Sequence, residues 1–294
     1  MPNEMPISAI SEAVTKLKAL RPGYSQLLDF YEQLCLAQET AKKEVRLEPV
    51  QISEDILSAK RKGGFSLIEP PQFGVDMEVA ESLLNTFFRL AGEANEVLAG
   101  AAKSIHAAVE TDSLTLSVLF SKVLAGDDIY LKRLADDLDV DEKILAFAAY
   151  TCIRPSLCIQ ARQLSKDYLD PESLWEKGYC PVCGSPPALS ILHGEEGQRS
   201  LVCALCDSQW KTIRIFCPFC ENRDQKRLAY FFSEKEKDCR VDVCDKCNRY
   251  IKTLDSRQME RPFYPFIEQV GSLHLDMIAA ERGLESGVPL WLTH

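Results

Sequence analysis

Four Cys-x-x-Cys pairs fall between residues 180 and 247 of this 294-residue chain: Cys180-Pro-Val-Cys183, Cys203-Ala-Leu-Cys206, Cys217-Pro-Phe-Cys220 and Cys244-Asp-Lys-Cys247. Two residues between cysteines let a tight turn aim both sulfurs at one point. Two such knuckles complete a tetrahedral thiolate site with metal–sulfur distances of about 2.3 Å. The first two pairs are separated by 19 residues and the last two by 23, near the ribbon spacing of about 15–20. Each gap reads as strand, polar turn and strand, with the turns at Gly194-Glu-Glu-Gly197 and Glu234–Asp238. Four pairs admit three pairings, and joining Cys203 and Cys206 to Cys217 and Cys220 stays open. The sequential arrangement closes two local loops instead of nesting one in another. It predicts two ions, one on Cys180, Cys183, Cys203 and Cys206, the other on Cys217, Cys220, Cys244 and Cys247. A tetrahedral set of four thiolates suits iron or zinc equally. Each ribbon is too small for an adequate core of its own, and a structural zinc worth about 10–16 kcal/mol decides whether such a module folds.

Nine of the 12 cysteines lie in this segment; only Cys35, Cys152 and Cys158 precede it. The start, Met1-Pro-Asn-Glu-Met5, lacks a basic stretch followed by an apolar one, so no secretory signal is expected. The longest apolar run, Ile144 to Tyr150, is far too short to span a bilayer. A cytoplasmic protein without membrane insertion is therefore expected. Thiols stay reduced there, which favours metal over disulfides. A thioredoxin-like dithiol needs a single pair in a βαβ setting, which four pairs with hairpins between them do not resemble.

A knuckle turns with positive φ after its second cysteine, where glycine is at ease. Only Gly184 meets this; Asp207 and Asn248 tolerate it, and Glu221 less well, so the third knuckle is expected to be strained or differently turned. Cys239 completes no pair and reads as a spare thiol, while Cys35, Cys152 and Cys158 read as small buried hydrophobes. His193 and His106 are not expected to ligate, and His274 and His294 belong to no constellation. There is no Gly-rich phosphate loop and no Gly-x-Ser-x-Gly. Asp127-Asp128 and Asp136-Asp137 read as caps or solvated faces, so no catalytic residue is assigned.

The first 170 residues read as helical. Leu27, Leu28, Tyr31, Leu34 and Cys35 share one helical face, as do Val79, Leu83, Leu84, Phe87, Phe88 and Leu90 in a helix from Glu78 to Leu98 that could run on toward Val109. Asp128 and Asp141 are expected to cap two short helices, and Arg154-Pro155 to break or kink the next. Asp170-Pro171 marks a boundary and the start of one helical turn. Strand-like segments follow at 188–192, 200–202, 210–216, 228–232, 240–243 and 250–253, and a helix of about three turns past Pro265. The division is 1–170 helical, 171–213 first ribbon, 214–260 second ribbon, and 261–294 C-terminal helix and tail. The net charge is −10, but residues 171–260 carry 14 basic and 14 acidic residues. Nucleic-acid binders cluster positive charge, so no nucleic-acid partner is expected; Arg223, Lys226 and Arg227 form the one basic cluster.

The run Tyr179-Cys-Pro-Val-Cys-Gly-Ser-Pro-Pro187, then Cys203-Ala-Leu-Cys206, Trp210-x-x-x-Arg214-x-x-Cys217-Pro-Phe-Cys220, and Cys244-Asp-Lys-Cys247 with Tyr250-Ile-Lys-Thr253, resembles the FdhE family of formate dehydrogenase accessory proteins. Gly271-Ser-Leu-His-Leu-Asp276 is also similar. The resemblance implies a cytoplasmic, non-enzymatic maturation factor that binds the catalytic subunit of a formate dehydrogenase. The helical and ribbon patterns together predict an α+β fold: a helical N-terminal domain, two tandem ribbon modules, rubredoxin-like or zinc-ribbon, and a C-terminal helix. Rubredoxin-like Fe(Cys)4 electron transfer, or redox protection of the partner, is the alternative expectation. The oligomeric state is left open.

Overall fold

The computed structural model describes residues 7–233 and 237–288. The expected turn at Glu234–Asp238 thus lies mostly outside the described residues, as does His294. Among the described residues eight helices come first: α1 Ile7–Leu20, α2 Ser25–Ala41, α3 Glu54–Gly63, α4 Met77–Ala94, α5 Glu96–Glu110, α6 Leu116–Ala125, α7 Asp128–Leu138 and α8 Glu142–Tyr168. The apolar stripes of α2 and α4 face inward, with Leu28, Leu34, Cys35 and Phe87 fully buried.

Several helix expectations need correction. The helix from Glu78 does not run through to Val109. Asn95 is extended, and its side chain accepts from Leu98 N at 2.9 Å, so it caps a new helix. Asp127, one residue earlier than expected, caps α7; Asp141 does cap α8, but that helix is 27 residues long. Nor does Pro155 break it. A proline leaves the carbonyl four residues back without its helical donor. Here Gln38 Nε2 donates to Thr151 O at 2.9 Å and replaces it. Although α8 is long and apolar enough to cross a membrane, 83% of its most apolar window is buried within the protein. After Asp170 the chain makes one hydrogen-bonded turn, with Ser173 N donating to Asp170 O at 3.1 Å, and forms no helix.

The strands are β1 Pro187–His193, β2 Gln198–Cys203, β3 Gln209–Thr212, β4 Leu228–Phe232, β5 Cys239–Cys244, β6 Arg249–Asp255 and the short β7 Glu285–Ser286. β3 stops at Thr212, short of the expected 216. Both expected hairpins are present, and they merge: parallel pairing of β1 with β6 gives one sheet of order β3-β2-β1-β6-β5-β4, with β7 on β6. The helical pattern past Pro265 is divided at Ser272 into α9 Pro265–Gly271 and α10 Leu273–Glu281. One sheet face packs Leu189, Ile191, Val241 and Leu254 with Leu275 of α10. The main core is continuous from the helices into the first two cysteine pairs.

Candidate metal centres

The hairpin register carries the knuckles together. β2 ends at Cys203 opposite Pro187, just past the first knuckle. β5 ends at Cys244 opposite Leu228, where β4 begins after the third. The sulfurs gather in the sequential pairing: Cys180, Cys183, Cys203 and Cys206 in one cluster, Cys217, Cys220, Cys244 and Cys247 in the other, each within 4.8 Å. In the first, Sγ separations are 3.8 Å (Cys180–Cys206), 3.5 Å (Cys183–Cys203) and 3.6 Å (Cys183–Cys206). In the second they are 3.6 Å (Cys217–Cys247) and 3.7 Å (Cys220–Cys244). A tetrahedron with bonds of about 2.3 Å has edges of about 3.8 Å, so both sets have the size that an iron or zinc ion requires.

Each knuckle is built alike. Cys180 N donates to Ser185 O, Cys203 N to Ser208 O and Cys217 N to Asn222 O, all at 2.9 Å. The residues after the second cysteines all take positive φ: Gly184 at 75°, Asp207 at 59°, Glu221 at 54° and Asn248 at 57°. Glu221 therefore does adopt the disfavoured conformation expected of it. Its carboxylate accepts from Gly178 N at 3.4 Å and lies 3.7 Å from Lys177 Nζ. Gly178 has a stricter task, because a Cβ there would stand 1.7 Å from Pro218 O. Backbone N–H groups of Leu205 and Cys206 point at Cys203 Sγ, at 3.4 and 3.5 Å, donors suited to a thiolate. Burial pushes the thiols of Cys203 and Cys206 well above their usual range, whereas hydrogen bonds from the other three thiols hold Cys183 well below. A cation that displaces the shared protons relieves this conflict.

The two clusters differ in setting. All four cysteines of the first are buried; Cys220 and Cys247 of the second are partly exposed. The first is also bonded to the helical half. Leu67 N and Ile68 N donate to Pro181 O and Val182 O, both at 2.9 Å. Tyr150 Oη donates to Ala204 O and Leu205 O at 3.1 and 3.0 Å. Arg154, 1% exposed, forms an ion pair with Asp207, donates to Gln38 Oε1 at 2.7 Å, and lies over the Phe266 ring at 4.8 Å. Sequence reasoning missed this role for Arg154 and Asp207. The available signals were a charged residue inside the long apolar helix α8 and an aspartate at a knuckle position where glycine is the easier choice.

Among the remaining candidates, Cys35, Cys152 and Cys158 are buried. Burial raises the Cys35 and Cys158 thiols to about 12, with Asp207 adding to the rise for Cys158. Cys239 is buried at the start of β5, five residues from Cys244 and so ~16 Å along the strand from that cluster. His193 Nε2 lies 2.7 Å from Ser200 Oγ, and His106 packs edge-on to Phe88 at 5.1 Å.

The family model for the FdhE central domain matches residues 179–214. The Aquifex aeolicus "Protein FdhE homolog" is 33% identical over 147 residues, 49% of this chain and 50% of that protein, so the match spans only half of that relative. The Rhizobium meliloti homolog is 28% identical over 78% of this chain and 71% of its own length. The crystal structure of the FdhE protein from Pseudomonas aeruginosa aligns with a TM-score of 0.67 at 21% identity, covering 99% of this chain and 98% of that one. That last likeness is one of fold.

Proposed function

Because the chain belongs to the FdhE family, we propose that it is a cytoplasmic accessory protein for the formation of formate dehydrogenase, and that it binds that enzyme's catalytic subunit. It acts by holding a client and not as an enzyme. Cys180, Cys183, Cys203 and Cys206 hold one iron or zinc ion, and Cys217, Cys220, Cys244 and Cys247 hold the other. The boundaries near residues 171, 214 and 261 separate the helical domain, the two ribbons and the C-terminal helices.

The observation that carries this reading is the joining of the first cluster to the helical half through Arg154–Asp207 and the Tyr150 hydroxyl. A metal-stapled sheet fixed rigidly to a helical body is a scaffold for presenting surface to a partner. The test is recovery of the client. Tagged full-length protein, purified from cells in which formate dehydrogenase maturation is stalled, should bring down the catalytic subunit and contain two metal ions per chain. Recovery of no formate dehydrogenase subunit refutes the proposal.

The partial exposure of Cys220 and Cys247 favours a second reading, in which an Fe(Cys)4 centre exchanges electrons with the client. Anaerobically isolated protein should then show a thiolate-to-Fe(III) absorption band that bleaches reversibly. Zinc alone, with no colour, excludes it.

A further inference from the structure

The sheet register assembles a second feature beside the outer cluster. Across β4, β5 and β6 the partners Tyr230, Asp242 and Ile251 form one row, Leu228, Cys244 and Arg249 the next, and Phe232, Arg240 and Thr253 a third. Residues two apart share a face, so these rows lie together, opposite the face that packs on α10. The loop at 214–219 lies over them and encloses a cavity of about 260 Å³.

Its lining has two characters. Phe216, Phe219, Leu228 and Ile251 make apolar walls, and four arginines, Arg199, Arg214, Arg240 and Arg249, reach it against one acid, Asp242. Asp242 is already engaged by Arg240 at 2.8 Å and by the Thr253 hydroxyl at 2.7 Å. Arg199 is 3% exposed and spends its Nε on Ser190 Oγ at 2.8 Å and its Nη1 on Phe216 O at 2.8 Å. Its Nη2 is buried without a hydrogen-bond partner, with Asp242 only at 3.8 Å. A buried guanidinium nitrogen left without an acceptor is costly. Among the described residues no acid lies within ion-pair distance of Arg214 or Arg249. A divalent ion held by four thiolates next door would add two negative charges, and the balance at the pocket would still be positive.

The cavity opens beside an unprotected sheet edge. At the other end of the sheet β3 is covered, since Trp175 N donates to Lys211 O at 3.0 Å and Thr212 Oγ1 to Trp175 O at 2.9 Å. β4 pairs with β5 alone among the described residues. Its sequence, Leu-Ala-Tyr-Phe-Phe, has none of the charges or prolines that usually blunt an edge. Tyr230 and Phe232 are 59% and 57% exposed and stack with centroids 6.3 Å apart, and Arg240 lies over Tyr230 at 4.8 Å.

We propose that this pocket takes a carboxylate carried on an extended acidic segment of the client protein, which adds to the open edge of β4. Strand addition supplies backbone hydrogen bonds, and a pocket beside the edge supplies specificity. The carboxylate fits because it meets the surplus of guanidinium charge at the pocket, to which the buried Arg199 contributes from behind the wall, while the exposed aromatics cover the segment's apolar side chains. The inference rests on the proposed client-binding role and assigns that role a surface.

The test uses full-length, metal-loaded protein in its own cells, with benzoylphenylalanine incorporated for photo-crosslinking in place of Tyr230, and separately in place of Ile129 on the helical half (85% exposed). Client capture by the tag is measured alongside. The Tyr230 probe should form an adduct with the catalytic subunit, mapping to a segment containing Asp or Glu; the Ile129 probe should not. Arg249→Glu should lower the adduct yield about tenfold, with both metal ions retained, and Arg249→Lys should restore most of it. Three results would overturn the proposal while the client-binding role stands: capture of the client without a Tyr230 adduct, an adduct indifferent to Arg249→Glu, or an adduct that nuclease digestion removes. Failure to capture any client overturns the role and the surface together.

Discussion

The ion pair between Arg154 and Asp207 joins the helical half to the second knuckle, and Asp207→Asn is the smallest change that tests it. Asparagine keeps the shape and tolerates the left-handed backbone at φ 59°, so the substitution removes only the charge. Taking one partner from a buried pair costs about 3–5 kcal/mol, because the other charge is left uncompensated. Arg154 is 1% exposed, but the Asp207 side chain is 22% exposed. Gln38 Oε1 still accepts from Arg154 at 2.7 Å. Both facts put the expected loss at the lower end, about 3 kcal/mol. In an Arg154→Met background no buried cation remains to be orphaned, and Asp207→Asn should then cost under about 1 kcal/mol. Urea unfolding of the four zinc-loaded proteins gives the coupling directly. The single variant should also release the first ion faster to a chromophoric chelator, because Asp207 follows Cys206, one of the four thiols proposed to hold that ion. Equal costs of Asp207→Asn in the two backgrounds would refute the reasoning, since the pair would then carry no coupling between helices and knuckle.

Further outcomes follow from the same contacts. Cys217→Ser with Cys220→Ser should reduce the metal content from two ions to one, by elemental analysis, with the first cluster still filled; loss of both ions would contradict independent sites. Gly178→Ala should destabilise the folded protein by about 3 kcal/mol or more, because the new Cβ would meet the backbone oxygen of Pro218, which cannot rotate away. Unchanged urea stability would show that the loop yields. Glu39 tests the acid limb. Burial pushes its carboxyl upward, but the charge and hydrogen bond of Lys42 and the hydrogen bond from Tyr264 more than offset this and hold it below its usual range. A folded pKa that is lowered gives stability present above the unfolded value, about 4.3, and lost as pH falls through the folded value. Urea midpoints of wild type and Glu39→Gln should therefore differ at about pH 6 and converge toward about pH 3; a constant difference would contradict the assignment.

The cysteine constellation was readable because its chemistry is local: spacing within each pair sets the knuckle, and spacing between pairs sets the hairpin. The strands were readable for the same reason, with 228–232 matching β4 to the residue. What the sequence concealed depends on partners far along the chain. Pro155 looks like a helix breaker until Gln38, 117 positions earlier in the numbering, supplies the donor that Thr151 O would lack. Asn95 sits between two apolar stretches in phase with one helix, and only its cap reveals that there are two. Asp207 looks like an imperfect glycine substitute, yet it is the residue that the buried Arg154 requires. The parallel pairing of β1 with β6, which merges the two hairpins, leaves no trace in cysteine spacing, because parallel neighbours are joined through long connections.

The unequal settings of the two clusters predict that metal loss is graded, and that function fails before the fold does. The first cluster shares its core with the helices, so the free energy of binding that ion is spread over the helical half. The second cluster staples the outer hairpin of β4 and β5 to β6, and two of its sulfurs reach solvent. A chelator meets the second ion first. Losing that ion frees the Cys217-Pro-Phe-Cys220 knuckle from β5, and with it the 214–219 loop that roofs the arginine-lined pocket. The helices have no bond to that ion and should be unmoved. Stepwise chelation should therefore abolish client capture after one equivalent of metal has left, while the helical far-UV circular dichroism stays constant. It should fall only with the second equivalent. If both ions leave together, the unequal settings of the clusters do not grade metal loss; if client capture survives the loss of the outer ion alone, the outer ribbon is not the reader.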